Sequence, residues 1–202
     1  MKIYQHYSIY GFSNSYIVGN EELGKAIIVD PAELTPTMIE KIENHHFDIS
    51  GILITHDHAH HVNGLSTIMK IYNPTIYASN AKLMRFQCRK VRDGDRMSEA
   101  GFEIEAIAVP GHSQDSMAYL LEGLFLFTGD ILHAGLIGKT SSAFNTNALA
   151  ERIAHKLFSL PDRTVIFPGH GPPSTIGTEK KSNISYQKGF AEKTRSNYDF
   201  FV

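Results

Sequence analysis

An α/β fold in a single domain, spanning residues 1–202, is the architecture that the sequence predicts. The length of 202 residues lies within the usual size of one domain with its own core. Each half begins with apolar, β-branched segments of strand length and continues with segments of helical spacing. Residues that bind metal ions recur where several of these strand-like segments end. We therefore expect sheets covered by helices, with a reactive site at one edge.

The first half is predicted to begin with three strands that form a meander. A helix follows from Thr35 to about residue 47, because Thr35 suits the N-cap and Pro36 suits the first helical position, where its missing N–H costs nothing. An apolar stretch at 51–54 indicates a further strand. The other elements predicted here are strands at 2–8, 15–19, 25–29 and 75–78 and helices at 62–72 and 80–88.

The second half is predicted to alternate strands with loops that carry polar residues. A long helix around residues 147–158 precedes the last strand, and Pro161-Asp162 forms the turn between them. The predicted strands of this half are 102–109, 117–121, 124–127 and 164–167.

Four histidines lie within six residues, directly after the apolar stretch at 51–54. A neutral imidazole is a common ligand of transition metals. A strand end delivers alternate residues to one side, so His56, His58 and His60 can converge. A solvated polar loop would be the better interpretation of one histidine, but a cluster that also contains His61 predicts a metal site.

Three further ligand-type residues follow apolar runs in the second half. His112, Asp130 and His170 each come directly after a glycine at a predicted strand exit. Glycine lets the backbone turn sharply, which a site assembled from several loops requires. The sequence therefore predicts that one edge of the fold carries the chemistry.

The order of these motifs resembles the metallo-β-lactamase-fold hydrolases. Their HxHxDH signature is followed by a lone histidine, a metal-bridging aspartate and a last histidine. The ending at residues 168–180, with the segments 93–95 and 110–113, is similar to that of the short glyoxalase II-like proteins. The resemblance covers nearly the whole chain, and it implies a four-layer αββα sandwich.

The resemblance also implies the role of each ligand. One metal ion would be held by one set of histidines, a second by another, and Asp130 would bridge both. His60 stands where the family has an aspartate, so Asp130 and His60 occupy the two positions to which catalysis is assigned. His60 is either a nitrogen ligand of the second ion or points away and leaves one tightly held ion. The implied ligands are His56, His58 and His112 for the first ion and His60, His61 and His170 for the second.

The implied activity is hydrolysis of a thioester, ester or lactone by a metal-activated water, with a thioester of the acyl-glutathione type preferred. The cofactor would be one or two zinc ions, or alternatively iron or manganese. Two other interpretations stay open. One is a persulfide dioxygenase with a single iron held by His56, His112 and Asp130. The other is a metal-binding module whose catalysis is impaired because of His60.

The composition narrows the class of partner to a small-molecule substrate. A net charge of −2 with scattered basic residues gives no general attraction to nucleic acid or to an anionic membrane. No apolar run approaches the roughly 20 residues that cross a bilayer, and the first residues lack the apolar core of a secretory signal. We therefore expect a cytoplasmic enzyme. The sequence carries no signal for an oligomeric state.

Overall fold

Two six-stranded sheets lie face to face in the computed structural model, which describes residues 1–187. One apolar cluster fills the space between the sheets, and a second and third pack helices against the two outer faces. The layers are therefore helix, sheet, sheet and helix. The predicted four-layer αββα sandwich is confirmed.

The described residues contain sixteen strands, several of them only two residues long. In chain order they are β1 Lys2–Tyr7, β2 Asn14–Asn20, β3 Lys25–Val29, β4 Asp48–Leu53, β5 Thr75–Ala78, β6 Lys82–Leu83, β7 Phe86–Gln87, β8 Arg89–Lys90, β9 Arg96–Glu99, β10 Phe102–Ala108, β11 Met117–Leu121, β12 Phe125–Gly129, β13 Leu132–His133, β14 Leu136–Ile137, β15 Val165–Pro168 and β16 Ser174–Thr175. The helices are α1 Pro36–Asn44, α2 Ala59–Val62, α3 Leu65–Ile71, α4 Ala143–Arg152, which continues as a π-helical turn at Ile153–Leu157, and α5 Ile176–Ser182.

The strand directions bring several strand exits to one edge. The first sheet has the order β1-β2-β3-β4-β5-β8, in which β1 to β3 form the predicted antiparallel meander and β3, β4 and β5 are parallel. The second has the order β16-β15-β12-β11-β10-β9. Since β11 is antiparallel to both β10 and β12, and β12 is parallel to β15, the strands β10, β12 and β15 end on the same side.

Two buried tyrosines connect the sheets through hydrogen bonds as well as through packing. The Tyr16 hydroxyl donates to the carbonyl of Pro168 at 2.7 Å, and the Tyr119 hydroxyl donates to the carbonyl of Ile54 at 2.9 Å. Both rings are almost fully buried. Each bond contributes about 1 kcal/mol and satisfies a hydroxyl that would otherwise be costly to bury. The two sheets are thereby fixed close to the strand ends that carry the site.

The helix predicted at 80–88 is wrong. The structure has a hairpin of β6 and β7 there, and Met84 at its turn adopts a left-handed conformation with φ of 52°. Leu83 is buried while Lys82 is exposed, and this alternation buries the apolar side chains as a strand does. Cys88 therefore follows a strand and does not lie on a helix.

The other helices differ from prediction at their ends. The helix predicted at 62–72 is interrupted between α2 and α3, because Gly64 donates its N–H to the Pro31 carbonyl at 2.9 Å and its Cα lies against the backbone of Glu33. The helix predicted at 147–158 begins earlier, where the Ser142 hydroxyl caps α4. The predicted Thr35 cap of α1 is confirmed. Within residues 1–187, no helix has both the length and the apolar composition that crossing a membrane requires.

Candidate metal centre

All seven predicted ligands lie together at the edge where β4, β10, β12 and β15 end. The four clustered histidines lie between β4 and the end of α2, His112 follows β10, Asp130 follows β12, and His170 follows β15. The carboxylate of Asp130 lies in the middle of the group. Its Oδ2 atom is 3.3 to 3.8 Å from the Nε2 atoms of four histidines, namely His56, His60, His112 and His170.

Three histidines and Asp130 form a first half-site. His58 Nδ1 is 3.0 Å from His56 Nε2 and 3.1 Å from His112 Nε2. Asp130 Oδ2 lies 3.8 Å from His56 and 3.6 Å from His112. A tetrahedral zinc ion with ligands at about 2.0–2.1 Å separates those ligands by about 3.3–3.4 Å. The spacing of these four atoms therefore fits one such ion.

A second half-site faces the other side of the same carboxylate. His61 Nε2 lies 3.2 Å from Asp130 Oδ1, and His170 Nε2 lies 3.3 Å from Asp130 Oδ2. His60 Nε2 completes this set at 3.7 Å from Asp130 Oδ2, and the four ligand atoms all lie within 4.8 Å of one another. One carboxylate thus joins two sets of nitrogen donors.

Two buried atoms of the second half-site have no hydrogen-bond partner. They are His61 Nε2 and Asp130 Oδ1, which lie 3.2 Å apart but without the angles of a hydrogen bond. Buried polar atoms are nearly always paired, because an unpaired one costs about 1–3 kcal/mol. A divalent cation between the imidazole and the carboxylate would satisfy both atoms. The donors present therefore fit a metal ion.

Asp30 holds the outer nitrogens of two ligands. Its Oδ2 atom lies 3.2 Å from His61 Nδ1 and accepts a 2.6 Å hydrogen bond from the Thr55 hydroxyl. That hydroxyl in turn accepts from His56 Nδ1 at 3.0 Å. Such outer partners fix the orientation of an imidazole and leave its other nitrogen for the metal. One buried carboxylate therefore orients one ligand of each half-site.

Backbone carbonyls do the same for two other ligands. His112 Nδ1 donates to the carbonyl of Lys139 at 2.9 Å, and His170 Nδ1 donates to the carbonyl of Phe12 at 2.9 Å. In both rings this leaves Nε2 facing Asp130. The assignment of donors is the same in four separate rings, which is what a metal centre requires.

The charges of the centre depend strongly on burial and on neighbouring groups. Burial would raise the pKa of Asp130, but hydrogen bonds and charges of His170 and His61 outweigh it, and the pKa falls far below its usual value. Burial would lower the pKa of His61, but Asp30 and Asp130 raise it to about 9. For His56, burial and the charge of His61 lower the pKa to about 2. Asp130 is therefore an anion and His56 a neutral donor.

Sequence comparison identifies the family. The model of the metallo-beta-lactamase superfamily matches residues 9–87. The probable polyketide biosynthesis zinc-dependent hydrolase BaeB of Bacillus velezensis is 32% identical over 188 residues, which cover 85% of this chain and 80% of that protein. This chain belongs to the metallo-beta-lactamase superfamily.

Two other superfamily relatives are similar over most of the chain. A hydroxyacylglutathione hydrolase of Chromohalobacter salexigens is 32% identical over 163 residues, 79% of this chain but 63% of that protein, so this chain spans about two thirds of its length. The crystal structure of ETHE1 from Myxococcus xanthus has a TM-score of 0.83 and 26% identity, and the match covers 95% of this chain and 89% of that one.

This superfamily member has an open cavity of about 410 Å³ above its ligands. Lys139 is exposed on the cavity wall, and His133 stacks on His170 with ring centroids 5.9 Å apart. A water and the reacting part of a small substrate fit in such a volume. The lining residues are Gly11, His58, His60, His112, Asp130, His133, Lys139 and His170.

Two residues that support the centre were not predicted. Asp30 follows β3 as Asp130 follows β12, so a carboxylate at a strand exit was a usable signal. Asp115 carried no such signal, because its role depends on which loops the fold brings together. It accepts from the backbone N–H of Asp57, the amide of Asn80 and the hydroxyl of Ser113. Asp115 thus ties the loop of the clustered histidines to the loop that carries His112.

Proposed function

We propose that the protein is a metal-dependent hydrolase that cleaves a thioester, with the acyl-glutathione type as its preferred class. The observation that carries this proposal is that two half-sites share the Asp130 carboxylate beneath an open cavity. A divalent ion there would lower the pKa of a water from 15.7 to about 7 and would polarise the attacked carbonyl. Esters and lactones, which present the same carbonyl, are the related substrates.

The protein residues would position this chemistry and stabilise its charge. His56, His58 and His112 would hold the first ion, with Asp130 shared between the two ions. The outer hydrogen bonds of the imidazoles keep the donors in place without movement during the reaction. Lys139 on the cavity wall would pair with a carboxylate of the substrate, and acyl-glutathione carries such groups.

Relatives support the metal and the reaction class. BaeB is named a probable zinc-dependent hydrolase, and the Chromohalobacter protein is named a hydroxyacylglutathione hydrolase. The nitrogen-rich donor set suits zinc, since imidazole is one of its common ligands, and it suits iron as well. We therefore expect zinc, with iron as the next candidate and manganese, which prefers oxygen ligands, as the weakest.

An apolar rim beside the cavity supports an acyl substrate. The loop between β1 and β2 includes Gly11, which lines the cavity, and Ile9 and Phe12 on this loop are 80% and 65% exposed. Apolar side chains that cluster next to a cavity commonly contact a ligand. We expect the acyl group to lie against this loop.

The test is turnover of a substrate panel by zinc-loaded protein. We expect S-acyl-glutathione thioesters to be hydrolysed with a higher kcat/KM than a p-nitrophenyl ester or a lactone, and Asp130→Ala to abolish all three activities. A zinc-loaded protein that hydrolyses none of them would overturn the proposal and would favour a metal-binding module without catalysis.

One-iron dioxygenation of a persulfide is the second candidate. It is favoured by the convergence of His56 and His112 on one oxygen of Asp130, at 3.8 and 3.6 Å, because two histidines and one carboxylate form a common iron site. Iron-loaded protein that consumes oxygen with glutathione persulfide, and does so faster than zinc-loaded protein cleaves thioesters, would establish this candidate instead.

A further inference from the structure

We propose that His60 is a ligand of the second metal ion, so that this half-site presents three imidazole nitrogens and one carboxylate oxygen. Its place in the chain is one where the resembling hydrolases have an aspartate. The inference concerns metal binding alone and can fail without the hydrolase proposal failing. It also predicts which metals the second half-site selects.

The position of the His60 ring supports this assignment. Its Nε2 atom lies 3.7 Å from Asp130 Oδ2 and within 4.8 Å of the ligand atoms of His61 and His170. Its ring centroid is 4.4 Å from that of His61, compared with 5.7 Å from His58 and 6.3 Å from His56. His60 therefore belongs with the second half-site rather than with the first.

The protein also holds His60 in this orientation. The Ser13 hydroxyl donates to the His60 carbonyl at 2.7 Å, which fixes the backbone. Gly11 lies directly against the side chain, and a Cβ atom at Gly11 would come within 2.8 Å of His60 Cγ. The imidazole is only 29% exposed. The ring thus points into the centre and not into solvent.

An imidazole in place of a carboxylate changes the charge and the chemistry of the half-site. Histidine binds metal as a neutral donor, so two bound divalent ions would leave one more positive charge than they would with a second aspartate. Imidazole suits zinc, iron, copper and nickel, whereas carboxylate suits manganese and magnesium. We therefore infer that the second half-site discriminates against manganese more strongly than one with an aspartate at position 60 would.

The experiment is a titration of metal-free protein with zinc and, separately, with manganese in competition with a chelator. Wild type should bind two zinc ions. His60→Ala should keep the first and weaken the second by at least about tenfold, as loss of a direct ligand should cost no less than loss of an outer partner. His60→Asp should bind two ions, with the zinc-to-manganese affinity ratio of the second at least about tenfold lower than in wild type.

The matched control is His155→Ala, which removes an exposed histidine of the π-helical turn away from the centre and should leave both affinities unchanged. An unchanged second zinc affinity in His60→Ala, or an unchanged zinc-to-manganese ratio in His60→Asp, would overturn the proposal. If His60→Ala does not fold, the ratio measured with His60→Asp decides alone.

Discussion

The carboxylate of Asp30 lies 3.2 Å from Nδ1 of His61, and Asp130 lies 3.2 Å from Nε2 of the same ring. The imidazole is fully buried between these two buried carboxylates. In the absence of metal a proton on each nitrogen balances this arrangement, and a divalent ion would replace the proton on the side of Asp130. Asp30 thereby controls how strongly the second half-site binds.

Asp30→Asn should weaken zinc binding at the second half-site by about 10- to 100-fold. The amide keeps the shape of the side chain, and Asn tolerates the left-handed backbone, with φ of 48°, that Asp30 adopts. What is lost is the negative charge that orients His61. Zinc titration measures the effect, and Asp162→Asn, which alters an exposed ion pair with Lys180, is the control. Equal zinc affinities of the two variants would contradict the role of Asp30.

Zinc binding should release protons in a manner that depends on pH. His61 has a pKa raised to about 9 by Asp30 and Asp130 against the effect of burial, so the metal-free ring is protonated at neutral pH, whereas a metal ligand must be neutral. Zinc affinity should therefore rise with pH up to about 9, and the protons released should decrease as pH passes this value. Calorimetry in buffers of different ionisation enthalpy counts them. An equal release at pH 7 and at pH 10 would contradict this account.

The strands and the ligands could be predicted from the sequence for one physical reason. Apolar, β-branched runs end at a glycine and then at a residue such as His112 or Asp130, and strand exits of a sheet meet at one edge. The turn at Met84 could not be predicted, since its left-handed conformation depends on burial of the hairpin around it. Nor could the orientation of His60, which depends on contact with the distant Gly11.

Gly169→Ala should disrupt the centre more than it destabilises the fold. A Cβ atom at this position would lie 2.7 Å from His61 Cε1 and would also contact Asp130 Oδ1. The two ligands must therefore move apart, and zinc affinity should fall by at least about tenfold. Gly123→Ala is the control, because space there is open and only its φ of 62° makes the substitution cost about 1 kcal/mol. Metal binding by Gly169→Ala that equals that of the control would contradict the prediction.

Phe12→Ser should reduce the preference for long acyl groups. The substitution removes an exposed apolar side chain of the rim but leaves the backbone carbonyl that accepts from His170. The ratio of kcat/KM for an octanoyl thioester to that for an acetyl thioester should fall by about fivefold, which corresponds to partial loss of one aromatic contact. Leu23→Ser, at an exposed apolar position on the turn between β2 and β3, should leave the ratio unchanged. A ratio that is the same in all three proteins would exclude the rim from acyl binding.

The most direct test of the central claim is to measure thioester hydrolysis and bound zinc in the same samples as metal-free protein is titrated. The account predicts no turnover without metal, a rate that rises in step with zinc bound per chain, and neither binding nor turnover in Asp130→Ala. Hydrolysis that is equally fast in metal-free protein, or full zinc occupancy with no turnover of any acyl thioester, would contradict it.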